Sequence, residues 1–268
     1  MKKLLHYEKC SRPELSELIK DDVSFTVLTK IVQADCDHIF TDGESAIVCH
    51  SNPPYPVWVW CERPDDLNTI TAIGQCIKEH LPLEKYNIII QHEILERLAE
   101  YDSYFRNTKK KMELLSYRLD EIRSIDYPCD GKMETADMAD IDILSKVWQD
   151  MCIEMEGFHF ELDDCYKRVK SQIDDGVLFI WRNGDGKIVA TTNKGSLGKF
   201  GKVAGVYTLP EYRRRGYAIN LVHGVTKIIL SEGLTPTLYT DGGYSASNEC
   251  YKKIGYVQVG RLCTVYKE

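Results

Sequence analysis

The sequence lacks any apolar run near the roughly 20 residues that a membrane-spanning helix requires. Its longest apolar runs, such as Val57 to Cys61 and Ile88 to Ile90, have the length of strands. The lysines at the N-terminus are not followed by an apolar segment, so we expect no signal peptide. These absences favour a cytoplasmic protein without a membrane partner. A chain of 268 residues is long enough for one large domain or two small ones.

The ten cysteines include no C-x-x-C pair and show no regular spacing. Because a secretory context is also missing, we expect reduced thiols rather than disulfides. Two Cys–His neighbours, Cys36 with His38 and Cys49 with His50, match no structural zinc pattern. Buried cysteine is also a common small hydrophobic residue. The sequence therefore predicts no metal.

A basic excess is absent as well, since the formal net charge is −7. Residues 1–130 carry 16 basic and 23 acidic side chains, whereas residues 131–268 carry 18 of each. A nucleic-acid partner is disfavoured, because phosphate contacts need a basic surface. The acidic first half is explained either by solubility or by attraction of a cationic acceptor such as an amine.

The most informative stretch, residues 203–222, has the pattern of a strand, a basic loop and a helix. The β-forming residues from Val203 to Thr208 predict the strand, and Pro210 ends it because proline has no N–H for a ladder. Three arginines, 213–215, then lead to Gly216 at the start of the helix. The first turn of a helix has unpaired N–H groups and the positive end of the dipole. The stretch therefore predicts an anion site.

Three residues of this loop, Arg213, Gly216 and Ala218, fit Gln/Arg-x-x-Gly-x-Gly/Ala, the acetyl-coenzyme A loop of the GNAT superfamily of N-acetyltransferases. The preceding strand also has the family's form, V-Y-T-x-P-x-Y-R. Residues 247–256 resemble its S-N-x-x-Y-x-K-x-G-Y/F ending. Together the three matches make the chain from about residue 130 to 268 resemble a GNAT domain.

The resemblance implies an α/β fold (an α+β mixed sheet) with a GNAT domain at 132–268. Periodicity over this range predicts α-α-β-β-β-loop-α-β-α-β-β, which is the GNAT order. Residues 1–126 predict a second, N-terminal α/β domain that would shape the acceptor cleft. Residues 127–131 predict the linker between the two domains. Lys109–Lys111 predict a charged loop.

The first half can be assigned a similar order of elements, but it lacks the Arg-x-x-Gly-x-Gly/Ala loop. Pro64-Asp65-Asp66 stands at that place, with acids where a phosphate would need bases. The first half is therefore either a degenerate GNAT-like copy that cannot hold coenzyme A or an unrelated α/β domain. A splayed pair of parallel strands is the feature that a degenerate copy must have.

The resemblance implies that acetyl-CoA is the co-substrate. Backbone N–H groups of the loop would hold the pyrophosphate, and the pantetheine arm would add like a short strand to the strand before the loop. Asn248 resembles the family's amide that contacts the carrier. The residues expected to bind acetyl-CoA are Val206, Tyr207, Thr208, Arg213, Arg214, Arg215, Gly216, Tyr217, Ala218 and Asn248.

Catalysis of amine acetylation needs an acid for the leaving thiolate and a base for the acceptor. Tyr251 lies where the family places such a tyrosine, and a phenol can donate a proton to sulfur; the other interpretation is a core aromatic residue. Residues 154–160 predict a loop, and the resemblance implies that this loop covers the acceptor side, so Glu156 and His159 are the candidate bases. Glu154 and Asp241 are further candidates. The alternative for each of the four residues is an ordinary surface charge, and a water chain could serve as the base instead.

We therefore predict an acetyl-CoA-dependent N-acetyltransferase that acts on a primary amine of a small molecule or peptide by direct transfer in a ternary complex. The enzyme would be a monomer or a homodimer. Two alternatives stay open: a non-catalytic CoA-binding regulatory protein, and a longer-chain amino-acid N-acyltransferase. A deep apolar channel beside Thr208 and Tyr239 would favour the latter.

Overall fold

A computed structural model describes residues 2–19, 22–157 and 159–268. Its strands are β1 (Leu5–Cys10), β2 (Cys36–Thr41), β3 (Ala46–His50), β4 (Val57–Cys61), β5 (Ile88–Gln91), β6 (Lys109–Arg118), β7 (Lys132–Thr135), β8 (Leu178–Arg182), β9 (Ile188–Leu197), β10 (Phe200–Thr208), β11 (Thr235–Asp241) and β12 (Val257–Tyr266). Its α-helices are α1 (Thr26–Ile31), α2 (Leu67–His80), α3 (His92–Tyr101), α4 (Ile141–Glu156), α5 (Leu162–Asp174), α6 (Tyr217–Ser231) and α7 (Ser245–Ile254).

The chain divides into two compact units that do not follow the sequence in simple halves. The first unit contains Met1–Ser116, Thr240–Ser245 and Gln258–Glu268. The second unit contains Tyr117–Tyr239 and Ala246–Val257. The end of the chain is thus built into the first unit. The division into domains at 1–126 and 132–268 stays a prediction.

The sheet of the first unit is mixed, with the strand order β1-β2-β3-β4-β5-β12-β6. Strands β2, β3 and β4 are antiparallel neighbours, whereas β4 and β5 are parallel. The parallel pairing covers only Val57↔Ile88 and Trp58↔Ile89, although β4 continues to Cys61. The two strands therefore separate beyond Trp58. This is the splayed parallel pair that a GNAT-like copy requires.

The N-terminus of α2 in the first unit is closed by a carboxylate. Asp66 accepts hydrogen bonds from the N–H of Asn68 at 3.1 Å and from the hydroxyl of Thr69 at 2.7 Å. An aspartate cap satisfies donors at a helix start and places negative charge there. The carboxylate disfavours a phosphate at this helix start, and the interpretation of the first half as a degenerate copy stays a prediction.

The sheet of the second unit has the order β11-β10-β9-β8-β7. Only β10 and β11 are parallel in it, and their pairing runs from Phe200↔Thr235 to Val203↔Leu238. Helix α6 lies against β10 where Gly201 leaves no side chain, since a Cβ there would be 2.2 Å from Cγ2 of Ile229. The close contact places the start of α6 just beyond the open end of β10.

The mixed α/β class predicted from the sequence is confirmed, because each unit combines helices with both parallel and antiparallel strand pairs. Two predictions are wrong. Lys109–Lys111 are not a loop but the exposed start of β6. The range 132–268 starts with strand β7 rather than a helix, and it ends in the single strand β12 rather than in two strands. Another is shifted, because the segment from Glu154 to Glu156 forms the last turn of α4 rather than a loop. None of the helices in the described ranges is both long and apolar enough to cross a bilayer.

Candidate active site

The start of α6 presents backbone donors without a side-chain cap. Gly216 is the N-cap with φ +86° and ψ −5°, a left-handed conformation that glycine adopts without steric cost. The N–H groups of Gly216, Tyr217 and Ala218 make no hydrogen bond to other described residues. Uncapped N–H groups at the positive end of a helix dipole are suited to an anion. The predicted anion site therefore has the required backbone geometry.

The loop before Gly216 adds a second unusual backbone conformation and positive charge. Arg214 has φ +61°, which is uncommon for a residue with a side chain. Alternating turn conformations of this kind build the anion-binding concavities known as nests. The side chains of Arg214 and Arg215 are exposed, and Arg215 Nη2 donates to the carbonyl of Glu211 at 2.9 Å. Both guanidiniums therefore lie where they can attract phosphate from solvent.

Arg213 has a different environment. Its Nε donates to the carbonyl of Thr208 at 3.0 Å, and its Nη2 donates to Oε2 of Glu154 at 2.7 Å. The hydroxyl of Tyr207 donates to the same carboxylate oxygen at 2.9 Å. Arg213 lowers the pKa of Glu154, while burial and the bond to Glu154 raise the pKa of Tyr207 to about 12. This cluster joins the end of α4 to the end of β10.

The Glu154 cluster gives a prediction about pH. The folded pKa of Glu154 lies below its ordinary value of 4.5, so its stabilising effect is present above that pH and is lost as the pH falls through the folded pKa. Glu154→Gln should lower the melting temperature at pH 7 by no more than about 4 °C, because the pair is partly exposed and screened. The difference from wild type should shrink below about pH 4.5.

Differential scanning calorimetry at several pH values checks this prediction. Glu211→Gln is the matched control, since Glu211 makes no side-chain ion pair within the described ranges. A melting-temperature difference for Glu154→Gln that stays constant down to pH 3 would show that the carboxylate charge is not involved.

The edge of β10 next to the loop is open. A bulge between Ala204 and Tyr207 interrupts the pairing with β9, and the N–H of Leu209 donates to Val189 of that strand. Backbone polar groups point alternately to the two edges of a strand. Those of Val206 and Thr208 therefore point away from β9, toward the β11 side of β10. The pairing of β10 with β11 ends at Val203, so this part of the edge is unpaired within the described strands. The carbonyl of Thr208 accepts from Arg213, but the groups of Val206 and the N–H of Thr208 can pair with an extended ligand as a further strand.

The segment predicted as a linker, residues 127–131, forms hydrogen bonds with the first turn of α6. Nδ2 of Asn220 donates to the carbonyl of Tyr127 at 2.7 Å and to that of Gly216 at 2.9 Å. The hydroxyl of Tyr217 donates to the carboxylate of Asp130, which lowers the pKa of Asp130 and raises that of Tyr217 to about 12. The same carboxylate accepts from the N–H of Gly184 at 2.6 Å. Tyr217 therefore helps to fix the loop.

Helix α7 contributes the two other predicted residues. Asn248 and Tyr251 are three positions apart, so both lie on one face of the helix, and both are buried. Burial raises the pKa of Tyr251 above the ordinary value of 10.0, so the phenol stays protonated well above neutral pH. Its ring is 6.4 Å from that of Tyr117 and 6.2 Å from that of Tyr256. The hydroxyl is thus a proton donor in an aromatic environment.

The two candidate bases are less defined. His159 is exposed after the end of α4 and makes no contact with Tyr251 among the contacts between described residues. The side chain of Glu156 lies outside the described residues. Glu154, which the sequence offered as a further candidate, is bound to Arg213 and Tyr207. The base assignment to Glu156 and His159 stays a prediction.

Comparisons with known proteins agree with this geometry. Residues 184–265 match the family described as FR47-like protein. A GCN5-related N-acetyltransferase from Sphaerobacter thermophilus is similar over 99% of this chain and 95% of its own, with a TM-score of 0.70 and 16% identity. The chain has the GNAT fold. The resemblance predicted from the loop is confirmed, and so is the fold class.

Two further solved structures are similar to this chain over nearly its full length. A GNAT-family acetyltransferase from Colwellia psychrerythraea has a TM-score of 0.65 and 14% identity, and the match covers 99% of this chain and all of the other. A Drosophila protein has a TM-score of 0.67 and 13% identity, with 99% of both chains covered. No curated protein sequence matches significantly. These matches cover the first half of the chain as well as the part that carries the loop.

Proposed function

We propose that this chain transfers an acetyl group from acetyl-CoA to the nitrogen of a primary amine, by direct transfer in a ternary complex. The observation that carries the proposal is the uncapped start of α6, where Gly216, Tyr217 and Ala218 offer free N–H groups. The diphosphate of acetyl-CoA fits such a set of donors. The open edge of β10 lies directly before it in the chain and supports the same ligand.

The residues of the second unit have defined tasks in this proposal. The N–H groups at the start of α6 would hold the diphosphate, with Arg214 and Arg215 adding positive charge. Val206 and Thr208 would bind the pantetheine arm through their main-chain groups. Acetyl-CoA supplies an acetyl group activated as a thioester. Asn248 would contact the carrier from α7.

The transfer itself exchanges one bond for another. The amine nitrogen attacks the acetyl carbon, a C–N bond forms, and the C–S bond breaks. His159 or Glu156 would accept the proton that the amine loses, and Tyr251 would donate a proton to the leaving sulfur. The balance leaves an N-acetylated acceptor and free coenzyme A thiol.

Thiol release from acetyl-CoA tests the proposal. We expect release to depend on an added amine for at least one class among polyamines, amino acids, aminoglycosides and peptides with a free N-terminus. An acceptor already acetylated on its nitrogen is the matched control and should give only the background rate. Binding of acetyl-CoA without amine-dependent release across the panel would instead support a CoA-binding regulatory protein.

The screen also covers longer acyl groups. A deep apolar channel beside Tyr239 would favour a longer acyl chain. The ammonium of Lys202, however, lies 4.6 Å from the centre of the Tyr239 ring. A charged group at this place does not favour a deep apolar channel. Acetyl-CoA should therefore be a better donor than an octanoyl or benzoyl thioester of coenzyme A.

A further inference from the structure

Three metal-ligating side chains lie together on β1 and β2 in the first unit. In the antiparallel pairing, Glu8 is opposite His38 and His6 is opposite Phe40. Because alternate residues of a strand share a face, His6 and Glu8 project to the same side as His38. His6 thereby lies close to Glu8, which is two positions away in the sequence, and to His38, which is 32 positions away. This cluster, His6–Glu8–His38, has no part in the proposed acetyl transfer.

The distances within the cluster suit a small cation. His6 Nε2 is 3.2 Å from His38 Nδ1, and Glu8 Oε1 is 3.6 Å from His6 Nε2 and 3.7 Å from His38 Nδ1. Ligands at zinc bond lengths in a tetrahedron are separated by about 3.3 to 3.5 Å. The three atoms therefore need to move by only a few tenths of an ångström to coordinate one ion.

We propose that His6, Glu8 and His38 form a site for a divalent cation of the zinc type. Two imidazoles and one carboxylate are a donor set that zinc accepts, with a remaining position for water or another ligand. The ligating atoms would be His6 Nε2, His38 Nδ1 and one oxygen of Glu8. The site is independent of the acetyl-CoA site and of the proposed function.

Neighbouring rings hold one ligand in place. The ring of His6 stacks on that of Phe40, with centroids 4.0 Å apart and planes 7° apart, and Phe40 is buried. The three side chains are still 30–63% exposed, so an ion can reach them from solvent. The cluster is thus partly ordered and accessible.

A cation at this place would link strand β1 to β2 through their side chains. β1 is the first strand in the order of its sheet, and β2 is its one neighbour among the strands of the described ranges. An ion that binds the folded state stabilises it by mass action, so zinc should raise the melting temperature in a concentration-dependent way. The cation would therefore stabilise the pairing of the edge strand β1 with β2.

Titration of chelator-treated full-length protein with Zn²⁺ in a calorimeter tests the proposal. We expect about one ion per chain, and loss of at least about 100-fold in affinity for His38→Gln and for Glu8→Gln, since even outer-shell partners contribute 10–100-fold. His92→Gln is the matched control, because His92 also contacts a carboxylate, Glu113 at 2.8 Å. The affinity of the His92→Gln variant for Zn²⁺ should equal that of the wild-type protein.

Co²⁺ provides a second measurement on the unmodified protein, which does not depend on the folding of variants. The absorption spectrum should show nitrogen and oxygen ligands without a thiolate-to-cobalt charge-transfer band. Absence of binding, equal affinities in His38→Gln and His92→Gln, or a thiolate band would each overturn the proposal. The last result would assign the ion to one or more of the ten cysteines instead.

Discussion

Replacing Gly216 by Glu is expected to lower the affinity for acetyl-CoA by at least about 100-fold, which corresponds to about 2.8 kcal/mol. Gly216 caps α6 at φ +86°, and its N–H belongs to the proposed diphosphate site. A glutamate would bring negative charge to the donors and would strain the left-handed backbone. Isothermal titration calorimetry with acetyl-CoA measures the loss directly.

The effect of charge must be separated from the effect of backbone strain. Gly233→Glu is the matched control, because Gly233 also has positive φ, at +74°, and follows the other end of α6. We expect this variant to lose stability but to bind acetyl-CoA like wild type. Gly216→Ala shares the strain without the charge and should lose less affinity than Gly216→Glu. Unchanged affinity in Gly216→Glu would remove the anion site from the start of α6.

Replacing Tyr251 by Phe should reduce kcat by about 100-fold and leave the Kd for acetyl-CoA within about twofold of wild type. The substitution removes only the phenol oxygen, and a positioned general acid contributes roughly 10²–10⁴-fold. Burial keeps the hydroxyl protonated, so the wild-type enzyme should not lose this acid as the pH rises to 9. Steady-state kinetics with calorimetry of acetyl-CoA binding gives both quantities.

Tyr256→Phe is the control for the loss of a buried tyrosine hydroxyl. Its hydroxyl is 2.9 Å from Oγ1 of Thr226, so its removal should lower stability but not kcat. An equal drop of kcat in both variants would indicate a general packing effect in this core. An unaffected kcat in Tyr251→Phe would return Tyr251 to the role of a core aromatic residue.

The start of α6 could be predicted from sequence because its determinants are local. Gly216 and Ala218 lie within the same turn as the donors they expose, and a single pattern contains them. The partners of this loop could not be predicted in the same way. Glu154 reaches Arg213 across 59 positions, and Asp130 reaches Tyr217 across 87. Such contacts depend on how α4 and the segment before β7 return to the sheet.

Two other features, the start of β6 and the His6–Glu8–His38 cluster, could not be predicted from local sequence. Lys109–Lys111 resemble a charged loop because the start of β6 is exposed, so no apolar alternation marks it as a strand. His6 and Glu8 meet His38 only through the register of β1 with β2, which no spacing in the sequence reveals. The sequence therefore shows Cys36 close to His38, but it gives no sign of the cross-strand cluster.

The crystal structure of the protein soaked with coenzyme A tests most directly whether the bare amides at the start of α6 hold a diphosphate. We expect diphosphate oxygens within about 2.7 to 3.2 Å of the backbone nitrogens of Gly216, Tyr217 or Ala218. Coenzyme A bound at full occupancy with its diphosphate elsewhere, or no density at this helix start at saturating concentration, would contradict the acetyltransferase assignment.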